Sequence, residues 1–131
     1  MRSVRSTGTG AENRCEDLLR SLKLRFRKHP LHMPGRPDFV LGGCRLVLFV
    51  HGCFWHAHAH CKSSALPSSN LDYWTRKIVA NRRRDRRVRD ALRRDGWRTA
   101  VIWECKLRDT ESIARRLLRL VKEGKGRKKL R

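Results

Sequence analysis

A nearly continuous run of apolar residues, RLVLFV at residues 45–50, constrains the fold of this chain more than any other segment. A strand with one face in water alternates apolar and polar residues, whereas a strand covered on both faces does not. We therefore expect this run to be a central strand. The segment DFVL at residues 38–41 is predicted to form a neighbouring strand, joined to the first by a tight hairpin at Gly42 and Gly43.

Three other segments have the apolar spacing that is typical of amphipathic helices. The first begins near Ala11, the second begins at residue 70 or 71 and is stopped by Gly96, and the third begins at a cap, Thr110. Residues 97–103, WRTAVIW, are predicted to form another buried strand. This order of helices and strands predicts a mixed α/β fold.

The charge of the chain indicates a polyanionic partner. Thirty-three basic and 12 acidic residues give a formal net charge of +21, far more than solubility requires, and nucleic acid is the simplest partner. A hydrophobic content of 39%, with four tryptophans, excludes a fully disordered chain. We expect one domain over residues 1–131, with a mobile basic arm at 1–10 and a basic tail at 124–131.

The compartment is predicted from absent signals and from the cysteines. No apolar stretch approaches the roughly 20 residues of a membrane-spanning helix, and the basic N-terminus has no apolar segment after it. Five cysteines are an odd set, and histidines lie between two of them, which suits a metal better than disulfides. We expect a protein of the reducing cytoplasm that does not bind membranes.

A loop rich in cysteine and histidine follows the central strand. It offers three metal ligands, and a cysteine at the end of the last strand could supply a fourth, which favours tetrahedral zinc. These four residues are Cys53, His58, Cys61 and Cys105. His56 and His60 also lie within reach, so the choice of histidine stays open here. Free cysteines beside a chance run of histidines are the alternative.

Two polar residues interrupt the apolar stripe of the second helix. The stripe consists of Trp74, Ile78, Asn81, Asp85, Val88 and Leu92. Because a buried polar group without a partner costs about 1–3 kcal/mol, we expect Asn81 and Asp85 to face a polar cluster. Asp85 could orient one of two histidines, His51 at the end of the central strand or His56. A salt bridge from Asp85 to an arginine is the alternative.

Two further carboxylates have a functional and a structural interpretation. Asp38 follows Pro37 at the start of a strand, where its oxygens could bind Mg²⁺, although an aspartate after a proline is more often a turn residue. Glu12 lies in the first turn of the first helix, where a surface carboxylate usually complements the helix dipole. A role for Glu12 in a site stays open at this point.

Aromatic and arginine side chains are candidates for contact with nucleic acid. Phe54, Trp55 and Trp74 could stack on bases, or could instead pack on the domain. The outer side of the second helix carries a single sign of charge, so contact with phosphates is favoured over a merely solvated surface. Its arginines are Arg82, Arg83, Arg84, Arg86, Arg87 and Arg89.

Four motifs resemble those of the very short patch repair endonucleases. They are PGRPDFV, FVHGCFWHAHAHC, YWTRKIVANRRRDRR and GWRTAVIWEC, and the similarity runs in order from about Met1 to Cys105. The resemblance implies a bacterial DNA repair enzyme with a restriction-endonuclease-like core and a central mixed sheet. Such an enzyme nicks one strand 5′ to the thymine of a T:G mismatch, which arises by deamination of 5-methylcytosine.

The resemblance also implies roles for individual residues. Asp38 would bind Mg²⁺, and His56 is our hypothesis for the general base. The implied catalytic set is Glu12, Asp38, His51, His56 and Asp85, with Asp85 as the partner of a histidine. The implied structural zinc ligands are Cys53, His58, Cys61 and Cys105. The implied DNA contacts are an aromatic wedge of Phe54, Trp55 and Trp74, with Lys77 and Asn81 near the mismatched bases and Met1 at the minor groove.

The resemblance implies that the partner is double-stranded DNA with a T:G mismatch. It implies a monomer that acts in the cytoplasm, at the nucleoid. Other mismatch-repair proteins are further partners to consider.

Three alternatives are weighed against this function. A zinc-stabilised DNA-binding module without catalysis would have no use for Asp38, His51, His56 and Asp85 together. A related nuclease with another site preference is the alternative among enzymes. A small RNA-binding protein would account for the charge alone.

Overall fold

A mixed four-stranded sheet runs through the residues that the computed structural model describes, which are 10–53, 58–59, 61–62 and 65–128. In spatial order its strands are β1 (Arg27–Lys28), β2 (Phe39–Leu41), β3 (Leu46–His51) and β4 (Arg98–Trp103). The first three strands pair antiparallel, whereas β3 and β4 are parallel. This arrangement confirms the predicted mixed α/β fold.

Alternate residues of β3 pack against opposite faces of the sheet. Leu46 and Leu48 belong to the larger core, and Val47 and Phe49 belong to a second cluster on the other face. All four side chains are less than a tenth exposed. The prediction of a central strand covered on both faces is therefore confirmed, with the strand at Leu46–His51 instead of residues 45–50.

Helices cover both faces of this sheet. Helices α1 (Gly10–Ser21) and α3 (Thr110–Lys128) supply Cys15, Leu19, Ile113 and Leu117 to the larger core. Helix α2 (Leu71–Arg94) supplies Leu92 to the cluster on the other face. Because α2 connects the parallel strands β3 and β4, it carries the chain across the sheet as parallel strands require.

The connections agree with the sequence in outline and differ in detail. Gly42–Cys44 form a single 3-10 turn between β2 and β3, and Arg45 after it has a φ of 54°. At the end of α2, Gly96 has a φ of 87°, which glycine adopts without steric cost. The cap predicted at Thr110 is wrong, because the Asp109 carboxylate accepts the N–H of Ser112 at 3.1 Å.

The two predicted tails have different outcomes. Helix α3 extends to Lys128 and so takes in most of the segment at 124–131. Gly124 is buried, and a Cβ there would lie 2.5 Å from the carbonyl oxygen of Cys44, so the helix approaches this turn as only glycine allows. Of the predicted arm, Gly10 already belongs to α1, and residues 1–9 lie outside the described residues. No helix in the described part is both long and apolar enough to cross a bilayer.

Candidate active site and metal centre

The carboxyl ends of the parallel strands β3 and β4 carry the candidate site. His51 ends β3 and pairs in register with Trp103, which ends β4. His51 is 8% exposed, and its ring meets the Trp103 indole nearly edge to face, with centroids 5.3 Å apart. The sequence-predicted position of His51 at the end of a central strand is therefore confirmed, in the region where α/β proteins place functional groups.

Asp38 is tied to the same strand through its side chain. The backbone N–H of Val50 donates to Asp38 Oδ2 at 2.6 Å, so the carboxylate is held beside the residue that precedes His51. Desolvation raises the pKa of Asp38 to about 7, and the nearby Glu12 adds to the rise, whereas the Val50 hydrogen bond opposes it. Asp38 is thus a poorly solvated carboxyl group beside the end of β3.

Glu12 reaches the same place from α1. Its side chain is 2% exposed, so the interpretation of Glu12 as a surface carboxylate is wrong. The ligand oxygens of Glu12 and Asp38 lie within 4.8 Å of each other. Two poorly solvated carboxylates at this distance repel each other unless a proton or a cation lies between them, so the arrangement is suited to a divalent cation.

The thiol of Cys15 lies near these carboxylates and is protonated. Cys15 is fully buried, and burial raises the pKa of its thiol to about 12, with the charges of Asp38 and Glu12 adding to the effect. Because the thiolate is the nucleophilic form of cysteine, Cys15 is inert at neutral pH and serves as packing.

Sequence reasoning missed His29, whose side chain lies close to both carboxylates. Its Nε2 lies 2.8 Å from Glu12 Oε2, and its ligand nitrogen is within 4.8 Å of the ligand oxygens of both Glu12 and Asp38. The pairing of Lys28 with Phe39 places His29 beside Asp38. The position of His29 beside Asp38 could have been predicted from the sequence only by predicting β1, which is a strand of two residues.

On α2, Asn81 and Asp85 lie on the half-buried side of the helix. Asn81 Oδ1 accepts a hydrogen bond from the Arg84 guanidinium at 2.8 Å. His51 lies two residues after Phe49, which faces the α2 side of the sheet, so alternation places His51 on the face that α2 covers. The expectation that Asn81 and Asp85 face a polar cluster stays a prediction, as does the pairing of Asp85 with a histidine.

Four metal-ligand atoms converge beyond the ends of β3 and β4. They belong to Cys53, His58, Cys61 and Cys105 and all lie within 4.8 Å of one another. His58 Nδ1 is 3.4 Å from Cys105 Sγ. Tetrahedral zinc, with bonds of about 2.3 Å to sulfur and about 2.0 Å to nitrogen, separates two such ligands by about 3.5 Å, so these residues fit zinc.

The crowding of these thiols matters for the charge that the site can hold. Cys53 is 1% exposed, and desolvation raises the pKa of its thiol to about 12. The thiols of Cys61 and Cys105 contribute to the rise, since several thiolates would repel one another. A bound metal ion removes this obstacle by stabilising thiolates directly.

The predicted DNA contacts are only partly described. Trp74 is half-buried and meets Tyr73 edge to face at 5.0 Å, and Lys77 is exposed with its Nζ 5.9 Å from the Tyr73 ring. Most of the arginines on the outer side of α2 are exposed, and Arg89 is half-buried. The remaining predicted site residues lie outside the described residues: Met1, Phe54, Trp55, His56 and His60.

Known endonucleases are similar to this chain in sequence. Residues 1–63 match the sequence model of the family described as DNA mismatch endonuclease Vsr. The chain is 51% identical over 117 residues to the type II nicking enzyme V.XorIIP of Xanthomonas oryzae, covering 89% of this chain and 85% of the relative. It is 42% identical over 113 residues to the DNA mismatch endonuclease Vsr of Escherichia coli, covering 86% of this chain and 72% of the relative.

One solved structure is similar in fold. The catalytic domain of the homing endonuclease I-Bth0305I superposes with a TM-score of 0.61 over 89% of this chain and 98% of that domain, at 19% sequence identity. The mixed sheet with helices on both faces is therefore an endonuclease-like fold.

Proposed function

This chain belongs to the Vsr family of DNA mismatch endonucleases and is a DNA endonuclease, and we propose that it nicks one strand 5′ to the thymine of a T:G mismatch. The substrate is double-stranded DNA in which deamination of 5-methylcytosine has produced the mismatch. The nick would start very short patch repair. We propose that the protein acts as a monomer in the bacterial cytoplasm.

The meeting of Glu12 and Asp38 beside the end of β3 is the observation that carries the proposal. The two carboxylates come from different elements and lie within 4.8 Å of each other. The N–H of Val50 fixes Asp38 next to His51. A DNA-binding protein without catalysis has no need for two poorly solvated carboxylates at this position, whereas a nuclease uses them to hold a cation near the scissile phosphate.

Magnesium is the proposed cofactor at Asp38. The carboxylate oxygens of Asp38 and Glu12 are hard ligands of the type that Mg²⁺ prefers. When bound, the ion would stabilise negative charge that develops on the scissile phosphate. The protein's own contribution is to keep Asp38 in place through Val50 and to hold Glu12 in a buried position on α1.

We assign the proton transfers to the histidines. His56 is proposed as the general base that takes a proton from the attacking water, and this assignment rests on the family motif. His51 is proposed to face the reacting phosphate from the end of β3, where Trp103 supports its ring. Asp85, on the half-buried side of α2, is proposed to orient a histidine and raise its basicity.

We propose that Zn²⁺ at the Cys and His site is structural. Its four ligands would brace the loop that carries Phe54 and Trp55. These two side chains, with Trp74, form the proposed wedge between base pairs, whose cost in unstacking is smallest at a mismatch. Contacts near the bases are proposed for Lys77 and Asn81 from α2, and a contact in the minor groove is proposed for Met1.

The test is a nicking assay on labelled duplexes with zinc-loaded protein. Matched and T:G-mismatched duplexes are compared with Mg²⁺ added or omitted, with the mismatch in a CC(A/T)GG context and in altered contexts. We expect the natural protein to nick 5′ to the mismatched thymine only when Mg²⁺ is added. We expect Asp38→Asn not to nick either duplex. Equal cutting of both duplexes would reject mismatch specificity and favour a nuclease with another site preference. Tight binding without cleavage would reject the proposed catalytic assignment.

A further inference from the structure

The main chain brings His29 to the carboxylates. His29 directly follows β1, and its N–H donates to the carbonyl oxygen of Asp38 at 3.2 Å. Its φ of 46° lies in the left-handed region, which histidine adopts more readily than most side chains. The backbone of His29 is thus held beside Asp38 by the continuation of the β1–β2 pairing.

The side chain of His29 lies against Glu12 in an unusual way. The distance from His29 Nε2 to Glu12 Oε2 is 2.8 Å. Nε2 is buried, although the side chain as a whole is 32% exposed. Within the described part of the chain, this nitrogen has no acceptor in hydrogen-bond geometry. The two atoms form an ion pair when the imidazole is protonated, and a cation bound between them would hold a neutral imidazole in the same place.

The distance also fits two ligands of one shared cation. Two neighbouring ligands of an octahedral ion, each about 2.1 Å from it, are about 3.0 Å apart. The observed 2.8 Å is close to this value, and the ligand oxygen of Asp38 lies within 4.8 Å of the other two ligand atoms. One nitrogen and two carboxylates from three parts of the chain thus surround a common point.

We propose that His29 is a third ligand, with Glu12 and Asp38, of the divalent cation in the active site, and that it makes this site prefer Mn²⁺ to Mg²⁺. The inference rests on the proposed function, which places a divalent cation at Asp38. Mg²⁺ strongly prefers oxygen ligands, whereas transition ions accept imidazole. A ligand set of one nitrogen and two carboxylates therefore favours Mn²⁺ more than an all-oxygen set would.

Mn²⁺ binding can be measured without DNA and without turnover. Zinc-loaded protein is mixed with Mn²⁺, the free ion is followed by electron paramagnetic resonance, and Mg²⁺ affinity is obtained by competition. We expect the natural protein to bind Mn²⁺ at least about ten-fold more tightly than Mg²⁺. His29→Asn, which tolerates a left-handed φ, should weaken Mn²⁺ binding about ten-fold while changing Mg²⁺ binding less. Pulsed spectra should show imidazole nitrogen coupling that His29→Asn removes.

The controls separate this inference from the proposed function. His32→Asn is the matched control, since His32 is exposed in the same connection between β1 and β2. Unchanged Mn²⁺ affinity in His29→Asn, or nitrogen coupling that persists there, would overturn the role of His29. If Asp38→Asn abolishes Mn²⁺ binding while His29→Asn does not alter it, this inference alone fails. No binding of either ion to the natural protein would remove the cation site, and with it the metal-dependent function.

Discussion

The indole of Trp103 stacks on the imidazole of His58, with centroids 4.1 Å apart and planes 12° from parallel. The same indole meets His51 at 5.3 Å. One side chain therefore contacts both a proposed zinc ligand and a proposed catalytic histidine. Since reactive groups work best when packing fixes their orientation, Trp103 physically links the metal loop to the active site.

Trp103→Leu is predicted to slow single-turnover nicking more than it weakens DNA binding, and to speed loss of zinc to a chromogenic chelator. Aromatic contacts of this type contribute about 0.5–1.5 kcal/mol beyond burial, so an effect of about ten-fold is expected. Trp103→Phe should recover part of it. Trp97→Leu is the matched control, because Trp97 packs with Arg45 beside the start of β4. Zinc loss from Trp103→Leu at the natural rate would contradict the proposed link.

The contribution of Asp38 to the stability of the protein without added divalent cations is predicted to fall as the pH rises from about 4 to about 7. The pKa of Asp38 is raised from 3.8 to about 7, so the folded state keeps a proton that the unfolded chain releases in this range. The loss would reach about 4 kcal/mol if the whole shift were expressed. Urea denaturation of the natural protein and of Asp38→Asn at several pH values measures this contribution as the difference between the two.

Asp38→Asn should reduce this pH dependence and raise the free energy of unfolding at pH 8, while abolishing nicking. The exposed Asp17 on α1 offers a matched control, and Asp17→Asn should leave the pH dependence unchanged. If the natural protein and Asp38→Asn lose stability in parallel between pH 4 and pH 7, Asp38 is not the group responsible.

The choice between His58 and His60 as zinc ligand can be decided by metal content. Because His58 Nδ1 lies 3.4 Å from Cys105 Sγ, His58→Asn is predicted to lose zinc and to melt at least about 10 °C lower. His60→Asn should keep one zinc per chain and the natural melting temperature. Elemental analysis with thermal melts measures both quantities, and the reverse pattern would move the ligand to His60.

Exposed arginines of α2 are predicted to bind DNA through phosphates. Arg83→Gln should weaken binding to matched and T:G duplexes equally, and should reduce the slope of log K against log salt by about 0.9. Arg119→Gln, on the exposed side of α3, is the control and should change neither quantity. Titrations at several salt concentrations measure the slope. A loss confined to the mismatched duplex would instead indicate a base contact.

Several features of the fold and site were predictable because they depend on neighbours along the chain. The apolar run around Val47 predicts a strand buried on both faces, and the 3.6-residue spacing from Trp74 to Leu92 predicts α2. The ligand chemistry of Cys53, His58, Cys61 and Cys105 predicts a metal centre, and their atoms meet in the structure. In each case the residue types and their spacing carry the information.

The tertiary structure decided which polar groups share one environment. Glu12 has the sequence context of a surface residue, yet α1 turns it into the sheet, where it meets Asp38. β1 has two residues and no periodicity, so the approach of His29 to Glu12 could not be predicted. The spacing of residues along the chain shows which face of a helix or strand is covered. Desolvation and charge repulsion depend on which residues cover that face. Only the packing between distant segments determines which residues these are.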